Sequence, residues 1–394
     1  MIDIKNPFLA YAIVYFIVLI IYALPFSDLY PNIELEFFCF MVFTIGFSLF
    51  LKKYFVLYKN NIADKVEKKI SKNFYLKYVN IYIIFMLFYL LDFMYMGAIP
   101  LFSPTDTGYR DFEGIPILHV LLITGNGFFS NILFENYLLF KKKFFIILWI
   151  LSFIPYILIF TRGSIIVGCI TATLIFFSYN KFKKTYLLRL ILVSLIILYL
   201  FGVLGNIRLN QELYGEGINS SETILSFGLA SETFRNSIIP DEYFWGYIYI
   251  SSPMANLQNI MNQSKFDELT IPQAGIILLS ECIPDTLNKR IFDIINLDVE
   301  VLQPPLLTPA FNVSTYYSVA GYWMGYLGLF FMYCYYIFLA YIYCSILMKN
   351  NRYKIIGIAT FSTLVYLSIF SNVYTFSGWS FQLIYPLILG YKNK

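Results

Sequence analysis

Residues 187–205 read LLRLILVSLIILYLFGVLG. Arg189 sits near the start, and no further charged residue follows until Arg208. About 20 apolar residues, rising 1.5 Å each in a helix, cross the roughly 30 Å hydrocarbon core of a bilayer. Successive residues are apolar here, whereas a barrel strand alternates. With no water at that depth, a single segment satisfies its backbone groups only as a helix.

Working outward, similar runs occupy 8–25, 36–51, 78–97, 115–140, 144–160, 164–180, 320–348, 355–372 and 379–391. The first follows Asp3 and Lys5 and lacks a small-x-small cleavage site, so it reads as a retained span, not a signal peptide. Of the 394 residues 59% are hydrophobic and 13% charged, with a mean hydropathy of +0.68. A soluble chain carries about twice that charge. The composition excludes a secreted disulfide scaffold, a disordered chain and a soluble nucleic-acid binder, so a lipid bilayer is expected as partner and nucleic acid is not. The expected fold is an all-α polytopic membrane protein, one integral domain over 1–394, with about ten transmembrane helices. A basic cytoplasmic loop is expected at 52–77, and one large external loop at 206–315, between helices 7 and 8. Within that loop 222–239 and 285–296 have amphipathic helical spacing, and the apolar stretch 274–283 is too short to span. Four of the five cysteines fall inside apolar runs, and no pair has metal-ligand spacing, so buried packing is expected and no metal or cofactor.

Orientation follows from the cations. With the N-terminus in the cytoplasm, twenty-one of the 28 Lys and Arg fall on the inner side and seven on the outer. That bias places both termini inside. Nineteen of the inner cations are lysines, whereas five of the outer seven are arginines: Arg110, Arg162, Arg208, Arg235 and Arg290. Lysine suffices as a solvated point charge, while a guanidinium grips phosphate or carboxylate in two places. The outer arginines therefore either hold an anionic ligand or pair with the many outer carboxylates.

The outer strings are few. Gly97-Ala-Ile-Pro-Leu-Phe-Ser-Pro104 leads to Tyr109-Arg110-Asp111-Phe112 and Gly114-Ile-Pro-Ile-Leu-His119. His119, the sole histidine, lies one turn into its span and is either a general base or a packing residue. Thr161-Arg162-Gly163-Ser164 joins two spans with almost no loop, and Gly205-Asn-Ile-Arg208 ends another. Glu232-Thr-Phe-Arg235, Pro240-Asp241-Glu242 and Gly246 follow; then come Glu281-Cys-Ile-Pro284-Asp285, Lys289-Arg290, Thr308-Pro309 and Asn312-Val-Ser-Thr-Tyr316-Tyr317. Inside the membrane, Asp92 and Glu135 stand out, because a carboxylate there is unfavourable unless it serves a purpose. Asn131 and Gly127 share the face of Glu135 at i, i+4 spacing, so Glu135 is either part of a polar stripe turned into the bundle or a carboxylate snorkelling near Lys141. No phosphate loop, Rossmann fingerprint or Gly-x-Ser-x-Gly elbow occurs.

In their order and topology these strings resemble the Wzy-type oligosaccharide repeat unit polymerases of bacterial surface-polysaccharide assembly. The Gly97–His119 region is similar to that family's outer-loop pattern, Thr161-Arg162-Gly163 to its arginine-glycine hairpin, and Thr308–Tyr317 to the end of its large outer loop. Arg235 and Gly246, ten residues between them, resemble its arginine-glycine spacing; Arg208 has no glycine at that spacing. The resemblance implies a glycosyltransferase of the cytoplasmic membrane, without cofactor, that joins undecaprenyl-pyrophosphate-linked oligosaccharide units at the outer face. A flippase and a chain-length regulator are the implied partners. Arg110, Arg162, Arg208, Arg235 and Arg290, with Tyr316, would then hold pyrophosphate and glycan, their guanidinium groups converging on one diphosphate. His119, Asp111, Asp241 or Glu232 would be the base for the acceptor hydroxyl. An O-antigen-type ligase is the alternative within the same chemistry, and a flippase or transporter the alternative outside it.

Overall fold

The computed structural model describes residues 5–54, 72–102, 112–180, 184–215, 217–295, 303–349 and 351–391. The helices are α1 (Pro7–Tyr22), α2 (Leu35–Tyr54), α3 (Lys72–Met96), α4 (Leu118–Phe140), α5 (Lys143–Leu151), α6 (Ile154–Leu158), α7 (Arg162–Tyr179), α8 (Lys184–Tyr214), α9 (Glu222–Phe227), α10 (Glu232–Arg235), α11 (Tyr243–Asn262), α12 (Ile271–Cys282), α13 (Asp285–Ile295), α14 (Ser318–Met348), α15 (Lys354–Leu367), α16 (Ser377–Ser380) and α17 (Ile384–Leu389). Among the described residues no strand forms; two isolated bridges, Ser27 with Ala230 and Asn351 with Tyr391, are the only extended pairing. Five helices there are long and apolar enough to cross a membrane: α2, α7, α14, Asn73–Met96 of α3 and Ile191–Tyr214 of α8. The chain is an all-helical membrane protein.

Helix α1 is the central post. Asn6 caps it, its side-chain oxygen accepting from the backbone N–H of Phe8 (3.0 Å) and Leu9 (3.3 Å), and Pro7 opens the first turn. These contacts satisfy amides that a helix start otherwise leaves bare. Its two sides pack on α2, α11 and α15, so most of its residues are buried.

Several runs depart from their sequence boundaries for identifiable reasons. The run 144–160 is two helices, broken at Ser152–Phe153 just before Pro155, whose ring cannot continue a helix interior. Helix α8 continues past 205 to Tyr214, which carries Arg208 onto a helix. The amphipathic stretch 222–239 is two short helices, α9 and α10, separated at Gly228 and at Leu229, whose φ is +44°. The stretches 274–283 and 285–296 are α12 and α13, the former opened by a capping box between Thr270 and Gln273. The segment 206–315 also contains α11, twenty residues packed on α1, α8 and α14. Of the cysteines only Cys344 is buried; Cys39, Cys169 and Cys334 lie on helix faces that the bundle leaves uncovered. Residues 55–71 of the basic loop lie outside the described residues.

Two chain reversals shape one pole of the bundle. Helix α14 bends at Gly325 (φ 56°, ψ −145°), a conformation open to glycine alone, so that Ser318–Met324 folds back along the longer arm. Gly328 lies against the Ala320 carbonyl, and the Tyr316 hydroxyl donates to the Met332 carbonyl at 3.0 Å. The second reversal runs from α15 to α17. Asn351 Nδ2 donates to the Pro386 carbonyl (2.7 Å) and Arg352 N to Gly390 O (2.8 Å), closing the base of a hairpin whose tip is 368–380. That base, with Lys141–Lys143, Lys349 and Lys354, marks a lysine pole. Opposite it, the 159–162 turn and the hairpin tip mark an arginine pole.

Candidate functional site

At the arginine pole, α3 and α4 bring together a buried acid and the sole histidine. Asp92 is fully buried; its Oδ1 accepts from Ile115 N at 2.7 Å, and its Oδ2 lies 2.6 Å from His119 Nδ1. Gly114 makes this possible. Its φ is +61°, and a Cβ there would fall 2.5 Å from Asp92 Oδ1 and 2.7 Å from His119 Nδ1. Phe112 meets the imidazole edge-on, with 5.3 Å between ring centroids. A carboxylate on Nδ1 fixes the proton on that nitrogen and leaves Nε2 as the basic one. Among the described residues Nε2 has no hydrogen-bond partner. The pair therefore has the form of an oriented general base at a bundle mouth.

Arg162 opens α7 at the same pole. Its guanidinium lies over the Phe160 ring, 4.9 Å from the centroid, and the side chain is exposed. Among the described residues no carboxylate stands within ion-pair distance. Gly163 leaves room for the Trp379 ring of α16, which also packs on α4. Arg162 and His119 thus belong to one sector, built from α4, α7 and α16. Arg110 and Asp111, in the loop leading into α4, lie outside the described residues.

Two of the other outer arginines are held by carboxylates close to them in the chain. Arg208 Nε donates to Glu212 Oε1 at 2.7 Å, one turn along α8, with both side chains exposed. Arg235 Nη1 donates to both oxygens of Glu222 (3.1 and 3.2 Å) and its Nε to the Ala230 carbonyl, tying α10 to α9. Glu222 also lines an open cleft of about 500 Å³ with Tyr214, Thr223, Ser226 and Phe227. Glu232 and Asp241 belong to this second sector, on α10 and just before α11, which packs on α1, α8 and α14. Arg290 is exposed on α13. Tyr316 is only 2% exposed, and its hydroxyl is committed to Met332, so it braces the folded-back arm and presents no surface to a glycan.

One further candidate, Glu281, stands in a quoted outer string but is given no role there. Glu281 ends α12 and is buried against the hairpin tip. Asn372 Nδ2 donates to its Oε2 (3.0 Å) and to its backbone carbonyl (2.9 Å), and Ser280 Oγ lies 3.5 Å from Oε1. Burial pushes its carboxyl up to about 7, against the pull of the Asn372 and Ser280 hydrogen bonds. Beside it, α13 docks on the tip: Asp285 N donates to Thr375 O (2.7 Å), and Thr286 Oγ1 lies 2.9 Å from Ser377 Oγ. The available signal was a lone carboxylate at the end of the apolar stretch 274–283. For Asp92 it was an intramembrane acid in a chain with a single histidine.

Comparison with known proteins leaves the chain without a match: no family model, no curated protein and no solved structure corresponds to it.

Proposed function

We propose that this chain is a membrane glycosyltransferase that polymerises oligosaccharide units carried on polyprenyl pyrophosphate. The observation that carries the reading is the Asp92–His119 pair in one sector with Arg162. By the positive-inside argument the lysine pole faces the cytoplasm, so this sector opens on the outer surface. An acceptor sugar hydroxyl there loses its proton to His119 Nε2 as its oxygen bonds to the anomeric carbon of the donor. The bond from that carbon to the phosphate oxygen breaks, and the lipid diphosphate leaves with the electron pair. Arg162 stabilises the growing charge on the leaving group, at the depth where a lipid headgroup lies. Asp92 holds the imidazole in its working tautomer and balances the imidazolium that forms.

Purified protein supplied with lipid-linked repeat units is expected to give a ladder of products. His119→Asn lowers the rate by about 10²–10⁴ at unchanged protein level, and Arg162→Lys leaves single units in place of long chains. A wild-type preparation that makes no ladder refutes the reading. Finished chains that accumulate on the lipid carrier in a deletion strain would replace it with a ligase.

A further inference from the structure

A seam of buried polar groups runs along α4 from one pole to the other. At the lysine end Glu135 is 8% exposed and accepts from Tyr179 OH at 2.6 Å. Tyr78 and Arg352 face it from α3 and from the turn before α15, yet among the described residues no cation reaches ion-pair distance. One turn along α4 are Ser130 and Asn131, each 1% exposed, and then Asn126 and Gly127. Gln382 lies directly on Gly127, where a Cβ would fall 2.8 Å from its amide. Beside Asn126 lies the Tyr89 hydroxyl, within electrostatic reach of Tyr156, Asp92 and Tyr385, and Asp92 holds His119.

Most of the buried side-chain polar atoms that lack a hydrogen-bond partner among the described residues belong to this seam: Tyr89 OH, Ser130 Oγ, both amide atoms of Asn131, Asn136 Nδ2, Ser380 Oγ and Gln382 Oε1. A buried polar atom left unpaired is destabilising, so their concentration along α4 and on the α3 and α16 side chains packed beside it calls for a ligand. Donors and acceptors are mixed, and Asn131 presents one of each. A cation satisfies only the oxygens and an anion only the N–H groups. Water satisfies both, making about three hydrogen bonds at a buried site.

We propose that the α4 seam holds a file of water molecules that conducts protons between Glu135 and the Asp92–His119 pair. A proton enters on the Glu135 carboxyl, passes along the water and hydroxyl chain past Asn131, Ser130 and Tyr89, and leaves through Asp92–His119. Intramembrane acids facing a bundle interior are the usual stations of such relays. The inference rests on the unpaired groups alone and stands whatever chemistry occurs at the arginine pole.

The test uses the full chain in two preparations. In nanodiscs, water-edited solid-state NMR is expected to show magnetisation passing from water to the Asn131 side-chain amide. In liposomes loaded with a pH-sensitive dye, a valinomycin-set potassium potential is expected to drive proton flux above that of protein-free vesicles. Glu135→Gln and Tyr89→Phe, conservative changes at the two ends, are each expected to cut that flux at least tenfold while the thermal unfolding midpoint stays put. A dry Asn131, a wild-type flux equal to that of empty vesicles, or variants that conduct like wild type would each overturn the proposal.

Discussion

Glu281 is a carboxylic acid whose protonation is linked to folding. Its folded pKa is raised to about 7, whereas an unfolded glutamate titrates near 4.3. Between those values the folded chain binds the proton more tightly, so stability falls as pH rises through this window and levels off above about 7. The linked loss approaches about 4 kcal/mol, since one pKa unit corresponds to about 1.4 kcal/mol. Glu281→Gln keeps the hydrogen-bonding shape and removes the titration. Its unfolding midpoint in detergent is expected to match wild type near pH 4 and to exceed it near pH 8; equal midpoints at both values would refute the linkage. The exposed pair of Arg208 and Glu212 gives the opposite case. Exposed ion pairs contribute about 0–1 kcal/mol and are screened by salt, so Glu212→Gln should leave the midpoint almost unmoved.

The reversals belong to the scale of elements, and three glycines separate their causes. Gly97 (φ +69°) and Gly325 (φ +56°) both need the left-handed region, yet a Cβ at Gly97 would meet nothing within 4 Å and one at Gly325 only Ser264 and Phe266 at ordinary contact distance. Gly328 is helical, but the Ala320 carbonyl occupies the place its Cβ would take. Alanine at 97 or 325 therefore strains the backbone alone, by about 1–3 kcal/mol. Alanine at 328 must push the two arms of α14 apart and lose Tyr316–Met332 as well. Gly97→Ala is expected to have the highest unfolding midpoint of the three, because Gly325 (φ 56°, ψ −145°) holds a backbone closed to alanine, and Gly328→Ala is expected to fall clearly below Gly97→Ala. Finding Gly328→Ala as stable as Gly97→Ala would mean that the arms are not packed as described. Gly114→Ala should act differently again, displacing Asp92 from His119 and lowering activity more than stability.

For the molecule as a whole, the sequence reading was accurate where a physical signal is local. Long apolar runs make helices whatever surrounds them, so the positions of α2, α3, α7 and α8 could be read directly. The reversals could not, because they depend on which backbones meet: Ala320 with Gly328, and Asn351 with Pro386. The same holds for the site. His119 stood out as a type, but its partner lies in another span, and a chain read one residue at a time offers no reason to join Asp92 to it. The sequence does not sort the outer arginines, because a guanidinium looks alike whether it stands without a carboxylate, as Arg162 does among the described residues, or holds Glu212 or Glu222. The orientation of the bundle is argued from charge, and it can be measured. In a cysteine-free background, Leu101→Cys lies near the arginine pole and Lys142→Cys at the lysine pole. A membrane-impermeant maleimide applied to intact cells is expected to label the first and to reach the second only after permeabilisation. The reverse pattern would put Asp92–His119 on the cytoplasmic side. Lipid-linked glycan on the outer leaflet could not reach the pair there, and polymerisation at that site would be ruled out.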